Sequence, residues 1–228
     1  MTMKRIVICF ILSLVNLAAI VAVTFRLPET VPIHANYAGV FDSFGPRWVV
    51  PLFGLIAPIL GACMIVYRKR TQNNGNIRKN RGVEDIVFPL LILLFAALGW
   101  LTVAMGFSGP DARLPYELII LIPLGLLMIV LSNFEGVIKQ NRWFGIRTKW
   151  TLENEEVWRR THRAAGYSGV VGGLLLIAGA VIAHLTGQMA YAFVGLAAGI
   201  VLVALYPLLY SYLIYRRIVS QQTDGPNR

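Results

Sequence analysis

Long apolar runs alternate with short polar stretches along this 228-residue chain. Six runs stand out, over residues 6–25, 48–67, 86–107, 116–134, 167–183 and 189–215. Each is near the ~20 residues that a helix needs to cross a hydrocarbon core of ~30 Å. Apart from Glu117, at the edge of the fourth run, none contains a charged side chain. The fifth is the shortest and can extend into His184 and Leu185. The pattern predicts an all-α, polytopic membrane bundle of six transmembrane helices.

Composition agrees. The chain is 57% hydrophobic and 14% charged, with a mean hydropathy of +0.65, whereas a water-soluble domain has nearer a quarter charged residues. The distribution of the 21 Lys and Arg residues orients the bundle. All but Arg26, Arg47 and Arg113 fall before the first run or in alternate gaps after it, in clusters such as Arg68-Lys69-Arg70, Arg142…Lys149 and Arg159-Arg160. Cytoplasmic loops carry the Lys and Arg excess in membrane proteins. Both termini are therefore expected in the cytoplasm, and the protein in the plasma membrane. The net charge of +10 is read as these inner loops, which also favour anionic lipid. No basic stripe interleaved with stacking aromatics stands on a separate domain, so direct nucleic-acid binding is not expected. The first run, after Lys4 and Arg5, is read as a retained span, because it is long for a signal peptide and no small-x-small cleavage site follows it. Cys9 and Cys63 fall inside spans toward the inner side and read as small packing residues, not a disulfide.

The expected organisation is a first helical hairpin over residues 1–67 with an extracytoplasmic loop, a polar, basic and flexible cytoplasmic linker over 68–85, and a four-helix domain over 86–228 with a cytoplasmic loop at 135–165. Thr151 is a candidate N-cap for a helix in that loop. Glu153, Glu155 and Glu156 then sit at the positive end of the helix dipole, and Glu155–Arg159 and Glu156–Arg160 have i,i+4 spacing. This helix is expected to lead into the fifth span, with Val157, Trp158, Thr161, Ala164 and Ala165 as its apolar stripe. Trp143, Phe144 and Trp150 suit the headgroup level. The last two spans read as a packed hairpin turning at Gly187, with Gly169-x-x-x-Gly173 and Gly195-x-x-x-Gly199 as small-residue faces. Pro58, Pro123 and Pro207 should bend their spans.

A membrane enzyme or ion-coupled transporter places polar groups at depth, where charges are costly and mark a pathway. These spans hold almost none. Asn16 is the clearest buried polar side chain and reads as interhelical glue. No nucleophile–base arrangement, H-E-x-x-H, C-x-x-C or phosphate-binding loop occurs, and the topology separates His162 from His34 and His184. The expectation is a protein that is not an enzyme, with no cofactor and no assigned metal site.

Two soluble stretches are more particular. The outer one runs Pro32-Ile-His34-Ala-Asn36-Tyr-Ala-Gly39-Val-Phe-Asp42-Ser-Phe-Gly45-Pro46. Its Pro and Gly residues predict a compact, turn-rich loop. His34, Asn36 and Asp42 either converge on a ligand or metal, or hydrogen-bond the loop's own backbone. The inner one runs Asn141-Arg-Trp-Phe-Gly145-Ile-Arg147-Thr148, then Thr151-Leu-Glu-Asn154-Glu-Glu-Val-Trp158 and His162. Gly145 suits a turn, and Arg147 presents a rigid fork of donors for a carboxylate, a lipid phosphate or helix-end carbonyls. Trp158 and His162, four apart, share a helix face. The alternative is that Arg147, Thr148 and Asn154 lock the loop beneath the bundle.

The inner stretch resembles the signature of the sporulation-delaying-protein immunity (SdpI) family. The outer one resembles the small uncharacterised domain that often precedes it, except that Pro46-Arg47 stands where that motif often ends in Gly-Ser-Lys. The resemblance implies an integral membrane protein that protects a bacterium from a secreted, membrane-active peptide toxin. It also implies signalling, by retaining a cytosolic transcriptional repressor at the membrane. Carried over by position, His34, Asn36, Gly39 and Asp42 belong to the outward domain. Asn141, Gly145, Arg147, Thr148, Asn154, Trp158 and His162 belong to the inward signature. The expected partners are the lipid bilayer, a secreted peptide toxin and a cytosolic repressor. The alternatives are a small lipid-handling or transport-like protein and a membrane signalling protein without a toxin.

Overall fold

The computed structural model describes residues 3–36, 39–73, 75, 79–109, 112 and 115–223. Arg78, Arg113 and Arg228 of the charge pattern, Asn74, Asn76 and Ile77 of the predicted linker, and Tyr37 and Ala38 of the outer motif lie outside the described residues. Among the described residues, six helices are long and apolar enough to cross a membrane. The chain divides into two compact units, Met1–Leu114 and Pro115–Arg228.

The first unit begins with α1 (Met3–Thr24). Its hydroxyls are absorbed by its own backbone: Ser13 Oγ donates to the Phe10 carbonyl at 2.7 Å and Thr24 Oγ1 to that of Ile20 at 2.8 Å, as hydroxyls in helices commonly do. A hairpin follows, β1 (Thr30–Ala35) antiparallel to β2 (Phe41–Pro46), with irregular register on both sides of His34. The sequence reading of a turn-rich loop missed these strands, because Pro32, Gly39 and Gly45 obscure the alternation. A 3-10 turn (Arg47–Val49), α2 (Val50–Gly54) and α3 (Ile56–Thr71) continue the chain, and α4 (Arg81–Phe107) packs against α1, α2 and α3. Ile20, Leu27, Val31, Val50 and Val103 form the core. Helices approach closely at Gly99, where a Cβ would lie 2.8 Å from Ile20 Cδ1 and 3.3 Å from Gly54 Cα. As expected of Asn16, its Oδ1 joins two helices, accepting from Trp100 Nε1 at 2.8 Å. Cys9 and Cys63 are free thiols, and Cys63 is exposed on α3.

Helix α4 starts at Arg81, ahead of its apolar run, and brings Glu84 and Asp85 under the end of α3. Arg68, only 5% exposed, lies 3.2 Å from Glu84 and 2.7 Å from Asp85. Tyr67 donates to Glu84 at 2.9 Å. The ends of the stretch read as a solvated connector are thus partly buried and ion-paired.

The second unit contains α5 (Tyr116–Glu135), the short α6 (Lys149–Glu153), α7 (Glu155–Thr186), α8 (Ala190–Ile200), a π-helical turn (Val201–Leu205) and α9 (Tyr206–Thr223). The loop helix and the fifth span are one continuous helix, α7, closed by Gly187 in the left-handed conformation at φ 70°, which only glycine adopts without strain. The π turn precedes Pro207, whose ring cannot seat a regular turn beneath it. The two glycine motifs do not face each other. Gly195 and Gly199 pack on Gly179 and Gly172, whereas Gly173 lies against the Gly125 carbonyl and Gly169 against Ser132, both on α5. Helix α7 therefore carries two small-residue faces, one for each neighbour.

Candidate functional site: the inward loop and the outer hairpin

Residues 136–154 leave the end of α5 and return to the start of α7, and every turn has a named lock. Asn141, buried at 6% exposure, accepts from the amides of Trp143 at 2.8 Å and Phe144 at 3.0 Å, and donates to the Lys139 carbonyl at 2.9 Å. Asn side chains close turns this way by mimicking backbone. Gly145 has φ +97°, and a Cβ there would lie 2.5 Å from His162 Nε2 and 3.2 Å from Trp158 Cη2. Both conformation and space demand glycine.

His162 is fully buried and stacks on Trp158, ring centroids 4.0 Å apart and planes 19° from parallel. Its Nε2 accepts from the Ile146 amide at 3.0 Å, so Nδ1 carries the proton and donates to the Trp158 carbonyl at 2.9 Å. A backbone N–H aimed at one ring nitrogen fixes a neutral imidazole in a single tautomer. Trp158 Nε1 donates to the Ile138 carbonyl at 2.8 Å. The pair expected to share a face thus holds the loop at Ile138 and at Ile146.

Thr148 and Asn154, not Thr151, cap the helices. Thr148 accepts from the Thr151 amide at 3.3 Å, and Thr151 Oγ1 accepts from the Thr148 amide at 2.9 Å, a reciprocal box at the start of α6. Asn154 Oδ1 accepts from the amides of Glu156 at 2.9 Å and Val157 at 3.0 Å and starts α7. Thr151 is itself fully buried and donates to the Ile146 carbonyl at 2.8 Å. Thr151, expected as an N-cap, is instead the third residue of α6. Arg159, expected on Glu155, pairs instead with Glu156, as Arg160 does at 2.6 Å. Trp150 donates to Ser211 Oγ at 2.6 Å and lies against Tyr212 and Tyr215, which ties the loop to α9.

Arg147 differs. It is exposed, and Nη1 donates to the Arg142 carbonyl at 2.9 Å. Trp143 beside it is 47% exposed. The loop is a locked frame that displays Arg142, Trp143 and Arg147.

On the outer hairpin, His34 Nδ1 and Asp42 Oδ1 are 2.6 Å apart on the exposed surface. Asn36 is not with them. Its Oδ1 accepts from the Val40 amide at 3.2 Å and its own N–H donates to the Val40 carbonyl at 2.9 Å, closing the turn in which Gly39 takes φ +75°. Among the described residues no three His, Cys, Asp or Glu side chains gather as a metal cluster would require. At the base of the hairpin, Arg47 Nη1 donates to the Leu27 carbonyl at 3.0 Å, and Trp48 packs edge-on to Phe25. An open cavity of about 530 Å³ lies between Glu29, Phe44, Arg47 and Trp48.

Sequence reasoning gave no partner to three charged groups: Arg68 with Glu84 and Asp85, described above; Glu117, which meets His184 at 2.8 Å between α5 and α7; and Glu135. Glu117 was visible as the lone charge of its span. The others had no motif to mark them.

Residues 137–211 match the SdpI/YfhL protein family, and residues 11–57 match a domain of unknown function, DUF1648. The chain is 26% identical, over 95% of its own length and 98% of the relative's, to the Immunity protein SdpI of Bacillus subtilis (strain 168). No solved structure matches it.

Proposed function

We propose, for a chain whose residues 137–211 match the SdpI/YfhL protein family, that it gives the cell immunity to a secreted, membrane-active peptide toxin. Six apolar helices and the similarity make it a multi-pass protein of the plasma membrane. The observation that carries the toxin reading is the end-to-end similarity to a curated immunity protein. A shared segment alone would not join the outer hairpin to the inner loop in one protein. In this reading the outer hairpin, with His34, Asp42 and the cavity beside Trp48, meets the peptide at the bilayer surface. The inner loop keeps the second unit in its working shape. Nothing in the mechanism needs bond chemistry.

Signalling to a cytosolic repressor is the second reading. The exposure of Trp143 beside Arg142 and Arg147 favours it, since aromatic and Arg side chains dominate protein contact hot spots.

Survival is the test. Cells sensitive to membrane-active secreted peptides express the chain, insertion is confirmed, and a panel of peptides is applied. Selective survival is the expected result, and an inserted protein that protects against none of them overturns the toxin reading.

A further inference from the structure

Glu135 is the last residue of α5. Its Oε2 is buried and makes no hydrogen bond among the described residues. His162 Nε2 stands 3.8 Å away, but it already accepts the Ile146 amide and carries no proton to give. A carboxylate at a helix C-terminus also faces the negative end of the helix dipole. Glu135 Oε2 and the negative end of α5 thus come together, and the Ile146 amide beside them is already given to His162. Arg163 follows His162 in sequence, yet no Lys or Arg ion-pairs with Glu135 among the described residues.

The Glu135 carboxyl borders a cavity of about 150 Å³, half enclosed by Met128, Leu131, Ser132, Ile146 and Val203. That is room for about five waters. Ser132 lies opposite Gly169, where any Cβ would collide with its hydroxyl, so glycine keeps this corner open. Val203 belongs to the π-helical turn, a distortion that recurs at functional positions.

We propose that this cavity binds a primary alkylammonium group. A cation would balance Glu135 in its ionised form, and the shape of the lining selects which kind. A divalent metal wants about six oxygen ligands, and this wall supplies one carboxylate and one hydroxyl. Its remaining surface is apolar. An R–CH2–NH3+ group satisfies both halves, with its N–H donors on Glu135 and Ser132 and its methylenes on Met128, Leu131 and Val203. The group can come from an aminolipid headgroup or from a free amine.

The test uses the full chain in detergent and in nanodiscs at one pH. In detergent, ethylammonium chloride should raise Tm saturably above matched NaCl, and tetramethylammonium, which has no N–H, should not. Glu135→Gln should abolish the rise. Val203→Phe, which adds bulk at the cavity wall and leaves the carboxyl in place, should abolish it too and decides the matter if Glu135→Gln does not fold. Nanodiscs distinguish the sources. Greater stability in phosphatidylethanolamine than in phosphatidylcholine, lost in the variants, identifies the lipid headgroup. Equal stability in the two lipids with a retained ethylammonium response identifies a free amine. A rise matched by NaCl or tetramethylammonium, or one that persists in both variants, overturns the proposal.

Discussion

Gly145 stands against Nε2 of His162: a methyl in place of its hydrogen would lie 2.5 Å from that atom, which receives the Ile146 amide. The glycine and the histidine are one device, and neither can change alone. Gly145→Ala costs about 1–3 kcal/mol in left-handed backbone strain, before the displacement of the ring is counted. The expected result is a lower Tm and faster proteolysis within residues 136–154 in the detergent-solubilised protein. An unchanged cleavage pattern would show that the loop does not depend on this contact.

His162→Phe tests the other half. The aromatic stack on Trp158 survives, but the Ile146 amide loses its acceptor. An unsatisfied buried donor costs about 1–3 kcal/mol. His162→Gln, which can still accept, should retain more stability than His162→Phe, as compared by thermal unfolding. The reverse order would mean that packing and not hydrogen bonding holds the loop.

Arg68 should be among the most sensitive positions of the first unit. Arg68→Met takes the guanidinium away from buried Glu84 and half-buried Asp85, and breaking one side of a buried pair costs about 3–5 kcal/mol. Combining it with Glu84→Gln and Asp85→Asn should restore most of the loss, because the isolated charges are then gone. Folded yield after extraction measures both. No recovery in the triple variant would place Arg68 in some other role.

Trp100→Phe removes the donor to Asn16 while keeping an aromatic ring. Interhelical hydrogen bonds in membranes average about 0.6 kcal/mol, so the Tm shift should be small. A shift as large as that of Arg68→Met would give this bond a weight that its geometry does not suggest.

Arg147→Ala separates display from structure. Arg147 is exposed and its guanidinium donates to the Arg142 carbonyl, so membrane level and Tm should barely change. Protection or signalling should fall, the two read separately by survival and by a reporter of the cognate operon. Full activity in both would remove Arg147 from the mechanism.

The six spans were legible because length and hydropathy are summed over many residues. Trp158 and His162 were legible as a pair because four residues is one helical turn. The caps were harder. Thr148, Thr151 and Asn154 all suit a helix start, and only the break between α6 and α7 at Asn154 sorts their roles. The hairpin was hidden by its own Pro and Gly residues. Which face each glycine motif serves depends on the rotation of α7 between two neighbours, and one sequence does not state that rotation. Glu135 was invisible because its meaning comes entirely from what surrounds it.

Helix α7 is unbroken for 32 residues, about 48 Å at 1.5 Å per residue. One end carries His184, held by Glu117; the other carries the Trp158–His162 stack and the frame that rests on it. No joint separates them to absorb motion. A peptide or lipid that turns the far end of this rod by a few degrees turns the near end as well, and moves Trp143 and Arg147 without ever touching them.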